Sequence, residues 1–106
     1  MSISWFYLIG AVIFEVIGTT CMKLSQGFTN IIPSVLIFIC YGLCFTCMTL
    51  CLQKIDVSVA YAFWAGLGTT LIALIGIIFF RESASSIKLI SMALIIIGVI
   101  GLNSAK

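Results

Sequence analysis

The sequence predicts an all-α integral membrane protein with four transmembrane helices in the protomer, and three observations predict it. Of the 106 residues, 63% are hydrophobic and 8% charged, with no histidine and one proline; that composition fits neither a soluble domain nor a disordered chain. Four apolar stretches, at about 3–22, 31–52, 57–80 and 87–105, each reach the ~20 residues (at least ~17) that a helix needs to cross a bilayer. The connections, Lys23 to Asn30, Lys54 to Asp56 and Arg81 to Lys88, hold almost all the remaining charge and are too short for a domain. One four-helix domain over 1–106 is therefore expected.

The first span carries an acid, Glu15, near its middle. A secretory signal would want a basic leading region and a small-residue cleavage site, whereas only Met1 and Ser2 precede this stretch, so it is expected to stay as a span. Leu8, Ala11, Gly18, Thr19 and Met22 stand at i−7, i−4, i+3, i+4 and i+7 from the acid, which places Glu15 on a mostly small, lightly polar face with room for a ligand. An ionisable residue inside the membrane is by default a functional candidate. No other charge lies deep in a span to pair with it, so a cation or a proton is the expected counterpart. The structural alternative is a permanently protonated acid hydrogen-bonded to a neighbouring helix.

The second span places Tyr41 and Phe45 at i and i+4, and Cys40, Cys44, Cys47 and Cys51 at i, i+4, i+7 and i+11. Cys44 and Cys47 form a C-x-x-C, but they lie in an apolar run with no βαβ pattern, no histidine and no base to make a thiolate. The stripe is expected to pack as small hydrophobes. Nothing in the chain implies a metal, a cofactor, a catalytic centre or a nucleic-acid partner.

In the third span Tyr61, Trp64 and Gly68 fall at i, i+3 and i+7, a phenol, an indole and a gap on one face. Attraction of a cation to an aromatic face is worth ~2 kcal/mol once desolvated, so rings sharing one acid suit a large, weakly hydrated organic cation. Trp5 and Tyr7 read instead as interface anchors. Gly66 and Gly68 lower helix propensity just past Trp64 and mark either a hinge or a close helix contact. The fourth span offers Ser91 and Gly98 seven residues apart with Ile95 between them, extended by Gly101. Such a small-residue face serves a dimer contact, or packing within the protomer.

Four spans put both termini and the middle loop on one side with Lys54 and Lys106, against Lys23, Arg81 and Lys88 on the other. Because Lys and Arg distribution sets orientation, two against three allows insertion both ways up and an antiparallel, dual-topology homodimer. The alternative is that the small asymmetry fixes one orientation. Size points to an oligomer independently, since four helices bury one seam but do not readily enclose a solute pathway.

Phe14-Glu15-Val16-Ile17-Gly18-Thr19-Thr20, Met22-Lys23, Gly27-Phe28-Thr29, Pro33-Ser34, Tyr41 and Ala60-Tyr61-Ala62-Phe63-Trp64-Ala65-Gly66-Leu67-Gly68 together resemble the small multidrug resistance family of bacterial transporters, over essentially the whole chain. The resemblance implies an antiparallel homodimer in the inner membrane that exchanges protons for cationic substrates by alternating access. It makes Glu15 the shared proton and substrate site, Tyr41, Tyr61 and Trp64 cavity residues, and Ala11, Gly18, Thr19 and Phe45 the nearer lining. Ile17-Gly18-Thr19-Thr20 resembles the subtype exporting quaternary ammonium and other lipophilic cations; the guanidinium subtype typically has a tryptophan near Ile17 or Gly18. Two positions depart from the pattern. Cys44 stands where a serine is common near the glutamate, and Ser91 where the fourth-span dimer motif usually has its first glycine. The expectation is a proton-coupled antiporter for lipophilic organic cations. Its alternatives are a guanidinium or other small-cation exporter on the same fold, and one half of an obligate pair with a paralogous chain.

Overall fold

A computed structural model describes residues 3–105. Four helices follow in chain order, α1 (Ile3–Leu24), α2 (Ile31–Cys51), α3 (Val57–Phe79) and α4 (Ser86–Ala105), and there is no strand among the described residues. At the ~1.5 Å rise of a helical residue each is roughly 30 Å long, the thickness of the hydrocarbon layer. All four have the length and hydropathy of membrane spans.

The helix ends follow local chemistry. α1 runs past Met22 to take in Lys23 and Leu24, where a cation suits the negative end of the helix dipole. The Ser25 N–H still reaches the Cys21 carbonyl, and the Asn30 amide nitrogen donates to the Leu24 carbonyl at 2.9 Å. The chain then turns back through left-handed Gln26, Gly27 and Phe28. Pro33 sits in the first turn of α2, where a missing N–H costs nothing because that turn has no intrahelical acceptor. α3 stops at Phe79, and Arg81 adopts a left-handed φ of 56° that brings the chain back. The N–H groups of Phe80 and Glu82 both donate to the Gly76 carbonyl, at 3.1 and 3.0 Å.

Helix α1 packs along α2 and against α3, while α4 packs on α3 and has no buried residue among 86–104. The protomer measures 43 × 35 × 18 Å. Its thin dimension is less than two helix diameters of ~10–12 Å each, so the helices form an open slab. Ile, Leu and Phe line its outer surface, at no cost in lipid, where association depends instead on close approach of small residues. That approach is visible at each seam. A Cβ on Gly18 would lie 2.7 Å from the Tyr41 ring, one on Gly10 3.5 Å from Cys47 Sγ, and one on Gly66 2.6 Å from Val99. Cys40, Cys44 and Cys51 are buried, and all five cysteines are free thiols.

The interior is filled at the end of the slab nearest the middle loop. Leu8, Cys51, Ile55, Val59 and Ala60 form a buried cluster there, with Trp5, Tyr7, Met48, Phe63 and Trp64 packed against it. Trp5 and Tyr7, expected as interface anchors, thus also close this end; the Trp5 ring meets Phe63 edge to face at 5.5 Å. Beyond the cluster, toward the loops after α1 and α3, the interior opens.

Candidate functional site

Glu15 sits midway along α1 and is half-buried. One helical turn on, the Thr19 hydroxyl donates to its Oε2 at 2.6 Å, and the same hydroxyl lies 2.6 Å from the Tyr41 phenol oxygen on α2. A hydroxyl has one proton. Since Thr19 gives it to the carboxylate, Tyr41 donates to Thr19, and three side chains form a single-file relay from phenol to acid. Short bonds to a charged acceptor are the strong kind.

Two glycines make the arrangement possible. Gly18 has no side chain where the Tyr41 ring passes, so the ring can reach Thr19. Gly68 on α3 performs the same service for the acid, because a Cβ there would lie 2.6 Å from Glu15 Oε1. Gly66 and Gly68, which the sequence marks as a hinge or a close helix contact, lie within an unbroken helix. α3 is helical through both positions, with Gly68 occupied by Glu15 and Gly66 by Val99 and Ile95 of α4.

A cavity of about 330 Å³ opens beside the carboxylate. Glu15, Thr19 and Tyr41 form one wall, and Trp64, Ala65, Gly68, Thr69 and Ile72 of α3 the other. The Trp64 indole nitrogen is buried with no hydrogen-bond partner among the described residues. The salt bridge among the described residues joins Lys88 to Glu82, so the Glu15 carboxylate has no cationic partner there. An ionised carboxylate accepts about four hydrogen bonds, and this one receives one from a side chain. A charge at mid-bilayer costs about 2.5–3.5 kcal/mol on insertion scales, and one charge-assisted hydrogen bond returns roughly 1.5–3 kcal/mol at best. Among the described residues the carboxylate therefore keeps acceptor capacity on the side of the cavity.

Of the other residues singled out from sequence, Ala11 is fully buried in the α1 seam and does not line the cavity. Tyr61 is 62% exposed and meets Trp64 edge to face at 5.5 Å, from outside the cavity. Phe45 is similarly exposed and leans on Tyr41 at 5.9 Å. Cys44, at the position where a serine is common, is fully buried, and Thr19 is the hydroxyl that serves the glutamate. On α4, Ile95 packs toward Gly66 within the protomer, while Ser91 and Gly98 are exposed and a Cβ on Gly98 would meet nothing within 4 Å. Ala65, Thr69 and Ile72 were missed. They stand at i+4, i+8 and i+11 from Tyr61, so the aromatic face carried one turn further would have found them.

Comparison with known proteins gives the same picture from sequence. The model of the family described as Small Multidrug Resistance protein matches residues 3–95. YvaE, an uncharacterized membrane protein of Bacillus subtilis (strain 168), is 52% identical over 100 residues, covering 94% of this chain and 84% of that protein. The quaternary ammonium compound-resistance protein QacC of Staphylococcus aureus is 41% identical over 99 residues, covering 93% of this chain and 92% of its own length. The multidrug resistance protein EbrB of Bacillus subtilis (strain 168) is 40% identical over 100 residues, covering 94% of this chain and 86% of its own.

Proposed function

The chain belongs to the small multidrug resistance family, a multi-pass protein of the bacterial inner membrane, and from that premise we propose that it is a proton-coupled antiporter exporting lipophilic organic cations such as quaternary ammonium compounds. The observation that carries this reading is the Glu15 carboxylate, unpaired among the described residues and short of donors, beside a cavity walled by Tyr41 and Trp64. An ionised Glu15 attracts the cation, the rings hold it by their faces, and a proton arriving at the same oxygen releases it. The relay gives the exchange a local signal. When Glu15 carries a proton it can itself donate to Thr19, which then donates to Tyr41, so the phenol reverses its role with the state of the acid.

The cavity of one protomer is open on a side where Tyr61 and Phe45 are exposed, and a second copy completes it. The even distribution of Lys and Arg suits that copy inserting the other way up. Ser91 and Gly98 give α4 a small face for the contact. Relatives such as the quaternary ammonium compound-resistance protein QacC support cationic substrates here.

Adding a lipophilic quaternary ammonium to the detergent-purified protein should release protons, and the Glu15→Gln variant should release none. Tight binding by the wild type without proton release, at every pH from acid to alkaline, would sink the antiport mechanism.

A further inference from the structure

A second carboxylate lies at the end of the space that begins at Glu15. Beyond the main cavity, between the C-terminal halves of α1 and α3, is a smaller one of about 200 Å³. Thr19 and Ile72 border both. The smaller cavity continues past Thr20 and Gly76 to Lys23 and Glu82 at the membrane surface. In the other direction the interior is closed by the buried cluster around Leu8 and Val59. Apart from the open side of the main cavity, the way from Glu15 to water within the protomer therefore runs toward Glu82.

The position of Glu82 is built into the backbone. Left-handed Arg81 turns the chain so that the Glu82 N–H bonds the Gly76 carbonyl at 3.0 Å. Its carboxylate then lies on Gly76, where a Cβ would stand 2.5 Å from Oε1. Both acids thus rest on glycines of α3, Glu15 on Gly68 and Glu82 on Gly76. Eight residues at ~1.5 Å each separate those glycines by roughly 12 Å along the helix. That is too far for one proton hop. Between them stand the hydroxyls of Thr19 and Thr20, the latter donating to the Val16 carbonyl at 2.9 Å, and a space walled by Ile72, Ile75 and Phe80 as well as by Lys23 and Glu82, large enough for bridging water.

We propose that Glu82 is the outer carboxylate of a proton path that runs between α1 and α3 to Glu15. This rests on the reading of Glu15 as the proton site. As a cation binds, the Glu15 O–H bond breaks and the proton passes by hydroxyl and water to the Glu82 carboxylate. Glu82 becomes a carboxylic acid and gives the proton to bulk water, so each step is a balanced acid–base transfer. The charges at the mouth favour a proton over a drug. Lys23 of α1 borders the same cavity, and Lys88 of α4 stands 3.7 Å from Glu82; α2 carries no charged residue. The two ammonium groups repel any cation alike, but the Glu82 carboxylate can bond a proton and not a quaternary ammonium, and the space is smaller than the one at Glu15. The substrate and the proton then reach the same acid by different routes.

The test is stopped-flow proton release by the full-length protein, with tetraphenylphosphonium as the added cation and a pH dye in weak buffer. Glu82→Gln should release as many protons per cation bound as the wild type, but roughly tenfold or more slowly, the low end of what a charge at the mouth of a cleft contributes to arrival rates. A high concentration of a small mobile buffer should restore the speed, which a merely structural defect would not allow. Gly76→Ala, which pushes the carboxylate off its seat, should slow release in the same way. Wild-type speed in Glu82→Gln, or slowing that buffer does not cure, would overturn the outer acid while leaving Glu15 in place. Release by Glu15→Gln would overturn the reading of Glu15 itself, and with it the path.

Discussion

At the scale of single residues, the site depends on an absence. Gly68 has no side chain where the Glu15 carboxylate lies, and an added Cβ would stand 2.6 Å from Oε1. The displaced atom is the far end of a flexible side chain, so the helix tolerates the change; alanine even favours it by about 0.5–1 kcal/mol over glycine. The carboxylate, however, leaves its bond to Thr19 and its place beside the cavity. Gly68→Ala should therefore keep or raise the melting temperature while weakening quaternary ammonium binding roughly tenfold, as expected for a misplaced binding group. Calorimetric titration beside a thermal melt separates the two effects, and equal loss of both would mean that Gly68 serves packing alone. The acid and its partners Thr19, Tyr41 and Trp64 were legible in the sequence because helical spacing alone places them on faces. The seat was not. Gly68 reads as a hinge or a contact until the distance between α1 and α3 is known, and that distance is set by packing which no single helix records.

At the scale of elements, the four spans were legible because lipid imposes length and apolarity on each helix separately. Their ends shifted by one or two residues where local hydrogen bonds outlasted the apolar run, as at Leu24. Which helix touches which was not legible, because all four are apolar over most of their surface. Gly66 settles it for α4, whose Val99 and Ile95 fill the space above it. A Cβ at position 66 would stand 2.6 Å from Val99 Cγ2 and 3.1 Å from Ile95 Cγ2. Both neighbours are β-branched and stiff at χ1, so they cannot swing aside as a carboxylate can. Gly66→Ala should cost about 1–3 kcal/mol of overpacking, less the helix propensity gained. The loss should be local, with faster amide hydrogen exchange over 86–105 and unchanged protection in α1 and α2. Val99→Ala added to it should restore protection, since the two changes share one contact. Uniformly faster exchange over all helices would contradict a detachable α4.

At the scale of the whole molecule, the slab is unfinished in two places: the open side of the Glu15 cavity and the outer face of α4. Both follow from one shortage, since four helices cannot enclose a site and also bury every face. In the proposed dimer a second, oppositely inserted copy supplies the missing wall and brings its own Glu15 to the shared space. Gly98 allows that contact to be tested without disturbing the protomer. Nothing among the described residues stands within 4 Å of where its Cβ would be, so a side chain starts there without a clash in its own chain, whereas a close helix contact with another copy tolerates small residues only. Gly98→Leu should leave helix content unchanged, convert the dimer to protomers in detergent, and abolish cation binding along with dimerisation; Gly98→Ala should retain both. Mass measurement of the protein in micelles reads the first effect and titration with a quaternary ammonium the second. A Gly98→Leu protein that stays dimeric and binds as before would place the contact on another face, and the exposed rings of Tyr61 and Phe45, which border the open side of the cavity, would then be the surface to examine.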